Sequence, residues 1–182
     1  TEVLTSWFGD GVARTRHLIL GQSCGGKDWT PIWEANSQGR MKTWLEPCPK
    51  TTIDRNEHHS DTVSIMGTFT QNPRICTSGR KDLPHPIGHL QPSGAENKLL
   101  VHSKEGPACT FRWPGDSLRG CGATLLYDDR NAPSAVRKLT PLEVWKIQGG
   151  KVAEWNEVEP QLPLEDLMRP ALRALNYNTA AG

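Results

Sequence analysis

Apolar and polar positions divide the chain into a front and middle of short strands and a helical end. The first strand expected is His17-Leu-Ile-Leu20, closed by Gly21, and no sustained period follows from Gln22 to Asn56. Val63-Ser-Ile-Met-Gly-Thr-Phe69 alternates apolar and small polar residues, the pattern of a half-buried strand. Between Gln71 and Gly94 the pairs Asn-Pro, Ser-Gly, Leu-Pro and His-Pro and the triplet Pro-Ser-Gly all predict turns. Three more short strands are expected at Leu99–His102, Thr110–Trp113 and Ala123–Tyr127, so the middle reads as a small, irregular, β-rich module. At Thr140 the mode changes. Thr140-Pro-Leu-Glu143 is a capping box with proline at the first helical position, Leu142, Val144, Trp145 and Ile147 supply apolar residues, and Gly149 marks the stop. A second helical face carries Leu164, Leu167, Met168, Ala171, Leu172 and Leu175, and Pro170 breaks it into two short helices or a kinked one.

Composition adds little to this picture. The 17 Gly and 14 Pro among 182 residues exceed the usual share of roughly 12%, as a loop-rich chain requires. No apolar run approaches the ~20 residues of a membrane span, which excludes a membrane-spanning helix. The net charge of +1 names no partner, but the front is mildly basic and the stretch from Lys151 to Asp166 is acidic. Such a distribution is compatible with a polyanion on one face only, and first of all with a normally solvated surface. The five cysteines are odd in number and none has C-x-x-C spacing, which favours a reduced, intracellular protein over a disulfide framework. The chain begins at Thr1, so an upstream segment is compatible with the sequence.

Several candidate chemistries are weaker than they first look. His58, His59, His85 and His89, with Cys48 or Cys76, could be assembled into a zinc site, but no second cysteine has close ligand spacing. They read as loop histidines, and no metal is expected. Cys121, in Arg119-Gly-Cys-Gly122, and Cys24, in Ser23-Cys-Gly-Gly26, are candidate nucleophiles, with no particular histidine marked as base. The glycine-rich pieces lack the strand-before, helix-after order of a phosphate loop.

Three ordered segments say more. Arg137-Lys-Leu-Thr-Pro-Leu-Glu-Val-Trp-Lys-Ile-Gln-Gly149 resembles the ninth motif of the DNA (cytosine-5) methyltransferases. Trp7 to Gly21, with Arg14-Thr-Arg16 leading into an apolar strand, resembles their eighth motif. Gly106-Pro-Ala-Cys-Thr-Phe111, with Gly120 to Leu126, is similar to the stretch that precedes the ninth motif. The resemblance implies an α/β fold, the C-terminal part of a Rossmann-like methyltransferase domain flanking a small, irregular β-rich target-recognition module. Residues 1–21 would end the catalytic domain, 22–132 would form the recognition region, and 133–182 would return to the catalytic domain as helices.

The implied activity is transfer of a methyl group from S-adenosylmethionine to cytosine in double-stranded DNA. The protein would be nuclear if eukaryotic and cytoplasmic if bacterial. Arg14 and Arg16 match the pair that holds the flipped cytosine and a nearby phosphate, a task suited to guanidinium groups. Arg137 and Thr110 match positions that organise the recognition domain, while Arg40, Lys42 and Arg55 are candidate phosphate contacts. There are departures: Val12 stands where the family has Gln, and Gly150-Lys151 stands where it has Phe-Pro. The Pro-Cys nucleophile loop, the Glu-Asn-Val motif and the cofactor loop, upstream in the family, are not among these residues. Methylation needs a thiolate at cytosine C6, an acid at N3 and the sulfonium donor. This chain is therefore expected to supply substrate grip rather than turnover by itself, with the upstream catalytic segment as its partner. The alternatives are a non-catalytic nucleic-acid or protein binding module, and an unrelated enzyme with a cysteine nucleophile.

Overall fold

The computed structural model describes residues 2–17, 39–47, 67–72, 82–94, 96–111, 124–130, 136–162, 167 and 171. These build mixed α/β structure: a two-stranded sheet, a five-stranded sheet and two short helices. Among them, no helix is long and apolar enough to cross a membrane.

The small sheet pairs β1 (Glu2–Leu4) with β2 (Thr15–His17), antiparallel, with Val3 opposite Arg16. The strand expected from His17 starts two residues earlier, because β1 and the Thr5 backbone supply partners from Arg14 onward. Thr5 N–H donates to the Arg14 carbonyl at 2.9 Å. Leu18–Leu20 lie outside the described residues.

The larger sheet runs in sequence order: β3 (Gly67–Gln71), β4 (Pro86–Pro92), β5 (Leu99–Ser103), β6 (Leu125–Tyr127) and β7 (Val136–Lys138). Neighbours are antiparallel except β5 and β6, which are parallel. Alternation places Leu90, Val101, Leu125 and Val136 in one buried cluster, with Phe69, Leu99 and Tyr127 packed against it. The Phe69 and Tyr127 rings stack at 5.0 Å. In a flat sheet their strands, three steps apart, would be separated by roughly 14 Å. The sheet therefore curls around this cluster.

β4 corrects the expectation of turns throughout 71–94. Its prolines occupy the first and last positions of the strand, and a register shift falls between Pro86 and Gly88, so the missing N–H groups cost little. His89, expected in a loop, pairs with Thr70 on one side and Leu100 on the other. β3 overlaps the strand expected at 63–69 only from Gly67, and Val63–Met66 lie outside the described residues. Thr110 and Phe111 are not in a strand, contrary to expectation. Their segment forms only an isolated parallel bridge, between Ala108 and Val12.

Helix α1 (Pro141–Ile147) is capped as its sequence dictates. Glu143 N–H donates to Thr140 Oγ1 at 3.1 Å, and Thr140 N–H donates to Glu143 Oε2 at 2.9 Å. Gly149 adopts φ 86°, the left-handed conformation that ends a helix cheaply only at glycine. Helix α2 (Val152–Val158) has no counterpart among the sequence expectations. Its one buried residue, Trp155, packs on Trp145 with ring centroids 5.8 Å apart. Of the expected C-terminal face, Leu167 and Ala171 are buried in the main core, and the rest lies outside the described residues. That core draws Val12 from the first interval, Met41, Ala108 and Leu126 from the middle, and Val144, Ile147 and Trp155 from the last.

Candidate nucleic-acid interface

The segment Gly11–Arg14 has no ladder of its own, yet neighbours from far along the chain hold it. Gly11 N–H donates to the Ile147 carbonyl at the end of α1 (2.9 Å), and the Gly11 carbonyl accepts from Ala108 N–H (2.7 Å). Ala13 N–H donates to the Ala108 carbonyl (2.8 Å), and the Ala13 carbonyl accepts from Thr110 Oγ1 (2.9 Å). Thr5 Oγ1 donates to the Val12 carbonyl (2.7 Å) and accepts from Arg14 N–H (3.2 Å). This bonding anchors the backbone from which Arg14 and Arg16 project.

Arg14 and Arg16 are two positions apart and both partly buried. Neither has an ion-pair partner among the described residues. Burial, and then the charge of Arg16, lower the Arg14 pKa from its ordinary value. Arginine stays charged regardless. The direction means that the cation is held where charge is disfavoured, and an arriving anion would relieve that cost.

Arg40 and Lys42 flank the start of a 3-10 turn at Met41–Thr43 that lies against the turn after β5. Met41 N–H donates to the Gly106 carbonyl and Lys42 N–H to the Lys104 carbonyl, both at 3.0 Å. Gly39 enters this segment so close to Asp10 that a Cβ there would overlap the Asp10 carbonyl. Unlike Arg14 and Arg16, both side chains meet a carboxylate: Glu105 is 2.5 Å from Lys42 and 3.9 Å from Arg40. Arg55 lies outside the described residues.

Arg137 is fully buried, and all five of its N–H donors are used. Nε and Nη2 donate to Asp128 Oδ2 (3.1 and 3.0 Å), Nη2 and Nη1 to the two oxygens of Glu143 (2.9 and 2.8 Å), and Nη1 to the Lys138 carbonyl (3.0 Å). Glu143 also accepts from Glu46 N–H (3.0 Å), and Thr140 Oγ1 donates to Glu46 Oε2 (3.0 Å). Arg130 also holds Asp128, its Nε donating to Oδ1 and its Nη2 to Oδ2, each at 2.7 Å. Burial alone would raise the Asp128 pKa. Hydrogen bonds from Arg130 and Arg137 overturn that and hold it well below the usual carboxylate range. Arg137 thus ties the β6–β7 end of the sheet to the start of α1 and has no donor left for a ligand.

The structure also pairs two residues that sequence reasoning passes over. Cys109 Sγ lies 3.4 Å from His102 Nε2. The two candidate nucleophiles, Cys24 and Cys121, lie outside the described residues, as do His58, His59, Cys48 and Cys76. Among the described residues no three His, Cys, Asp or Glu side chains form a metal-binding group. An open depression of about 170 Å³ over β3 and β4, bordered by Thr70, His89, Gln91 and Lys98, falls below the ~300 Å³ of ordinary small-molecule sites. No protein-family model matches the chain, and no curated protein matches it.

Proposed function

We propose that this chain is the DNA-gripping, C-terminal part of a DNA (cytosine-5) methyltransferase, in which Arg14 and Arg16 meet a phosphate and the base turned out of the duplex. The reading rests on one observation: two partly buried guanidinium groups on an anchored backbone, with no acid among the described residues to neutralise them. Arg137, Arg40 and Lys42 are all paired with carboxylates, so the Arg14–Arg16 pair is where an anion gains most. The family assignment draws on the order of the three resembling segments. It gains support from their contacts, since Gly11–Ala13 hydrogen-bonds to both Ala108 and Ile147. In this reading β1, β2 and α1 belong to the Rossmann-like catalytic domain and β3–β6 to the target-recognition module. The depression over β3 and β4 does not fit S-adenosylmethionine in size, and no methyl-transfer step is assigned to these residues.

Binding of the full chain to a fluorescein-labelled duplex, followed by anisotropy, tests the proposal. Affinity should fall from 50 to 200 mM salt (about the range over which such losses become large), with a log–log slope near −0.9 per phosphate neutralised. Arg14→Ala and Arg16→Ala should each weaken binding, and the one whose guanidinium meets the phosphate should flatten that slope by about one contact. A duplex with its cytosine opposite an abasic site should bind tighter, because the base is then cheaper to extrude. A flat salt profile, or unchanged affinity in the double variant, would overturn the reading.

A further inference from the structure

The Cys109–His102 pair belongs to no part of the proposed DNA grip and has the makings of a reactive site. His102 is only 7% exposed, and its Nδ1 is buried without a hydrogen-bond partner among the described residues. Its other nitrogen faces the sulfur of Cys109, which is partly exposed and not in a disulfide. The ring is thus held with one nitrogen turned to a thiol, the geometry of a base beside its acid. Burial lowers the His102 pKa, and a backbone interaction with Leu125 offsets this in part. The ring is therefore neutral near pH 7, a proton acceptor but a weaker base than a free imidazole, so the role assigned to it rests on its position against the sulfur. Backbone contacts keep the thiol in place: Cys109 N–H donates to Thr124 Oγ1 at 3.1 Å, and Ala108 and Thr110 on either side are bonded to Gly11 and Ala13.

We infer that Cys109 is a covalent modification site for soft electrophiles, small disulfides foremost, with His102 as the base that takes the thiol proton. His102 Nε2 accepts the proton from Sγ, and the sulfur attacks one sulfur of the disulfide. A new S–S bond forms as the old one breaks, and the departing thiolate recovers the proton from His102. One thiol and one disulfide become one mixed disulfide and one thiol, with no external oxidant.

The test labels the full chain with iodoacetamide near neutral pH, and separately with glutathione disulfide, and follows each of the five cysteines by peptide mass spectrometry. Cys109 should react fastest with both reagents. His102→Gln and His102→Asn should slow Cys109 by at least about tenfold, less than a well-placed base typically supplies. The remaining four cysteines should keep their rates, which also reports that each variant is folded. If His102 were only a cover over the sulfur, both substitutions would speed labelling by opening the site. Faster or unchanged labelling in folded variants, or a wild-type Cys109 no faster than the other cysteines, would overturn the inference.

Discussion

Arg137 and the Arg14–Arg16 pair show two opposite ways of keeping arginine out of water. At the β6–β7–α1 junction, every donor of one guanidinium meets an oxygen fixed by the fold, and two carboxylates face it. At the β1–β2 sheet, two partly buried guanidinium groups make no ion pair with a carboxylate among the described residues. The first arrangement leaves no donor for a ligand, and the second pairs neither cation with a carboxylate among the described residues. Residue type therefore does not separate an architectural cation from a binding one. Whether the fold itself supplies its carboxylates is the feature that differs between them.

The sharpest way to break this contrast is to delete the architectural cation. Arg137→Met should cost about 3–5 kcal/mol in urea unfolding, because it strands buried carboxylates rather than because the ion pair is itself strongly favourable. Adding Glu143→Gln to that variant should recover part of the loss, since a neutral amide is cheaper to bury. If Arg137→Met unfolds at the wild-type midpoint, the network contributes nothing and the contrast fails.

Acid provides a gentler probe of the same junction. The folded-state pKa of Asp128 is depressed, so its contribution is fully present above the unfolded value near 3.9 and is lost as pH falls through the folded one. Stability should decline on acidification below about pH 4. Asp128→Asn should lower the neutral-pH plateau and flatten that acid limb. Urea midpoints between about pH 2 and 7 decide it, and an acid limb equally steep in the variant would count against Asp128 as its source.

Thr110→Val probes the support beneath the second region. It removes the donor to the Ala13 carbonyl while nearly preserving shape, at a cost of about 1–3 kcal/mol if no water replaces it. Because Ala13 precedes Arg14, DNA affinity should weaken with it. Arg14→Ala and Arg16→Ala should lose affinity without the stability cost, unfolding within about 0.5 kcal/mol of wild type. A large stability loss in those two would mean that they too are architectural.

The parts of this molecule legible from sequence are those whose causes are local. The capping residue of α1, its proline, its apolar face and its terminal Gly149 fall within one short stretch, and the helix forms as expected. β4 hides behind its prolines, which signal turns unless strands are already known to flank them. Helix α2 hides because one buried tryptophan and no side-chain cap leave no periodic trace. The candidate site divides the same way. Arg14 and Arg16 stand out by two-residue spacing, but Asp128 and Glu46 reach Arg137 and its helix only through tertiary contact. Cys109 and His102 face one another because the chain turns back after β5, and no spacing rule announces that.

The smallest effect expected is also the most informative about Arg40 and Lys42. Their pairing with Glu105 is exposed, with side-chain exposures of 39%, 43% and 47%, and such pairs stabilise a fold by at most about 1 kcal/mol. Glu105→Gln should therefore leave unfolding nearly unchanged. Its effect on DNA distinguishes two roles for the cations. If Arg40 and Lys42 reach phosphates, Glu105 competes for them. Its removal should then raise affinity and steepen the salt slope by up to about two contacts. If they only brace the turn after β5, affinity and slope should match wild type. In that case the proposed binding surface contracts to Arg14 and Arg16, which make no ion pair among the described residues.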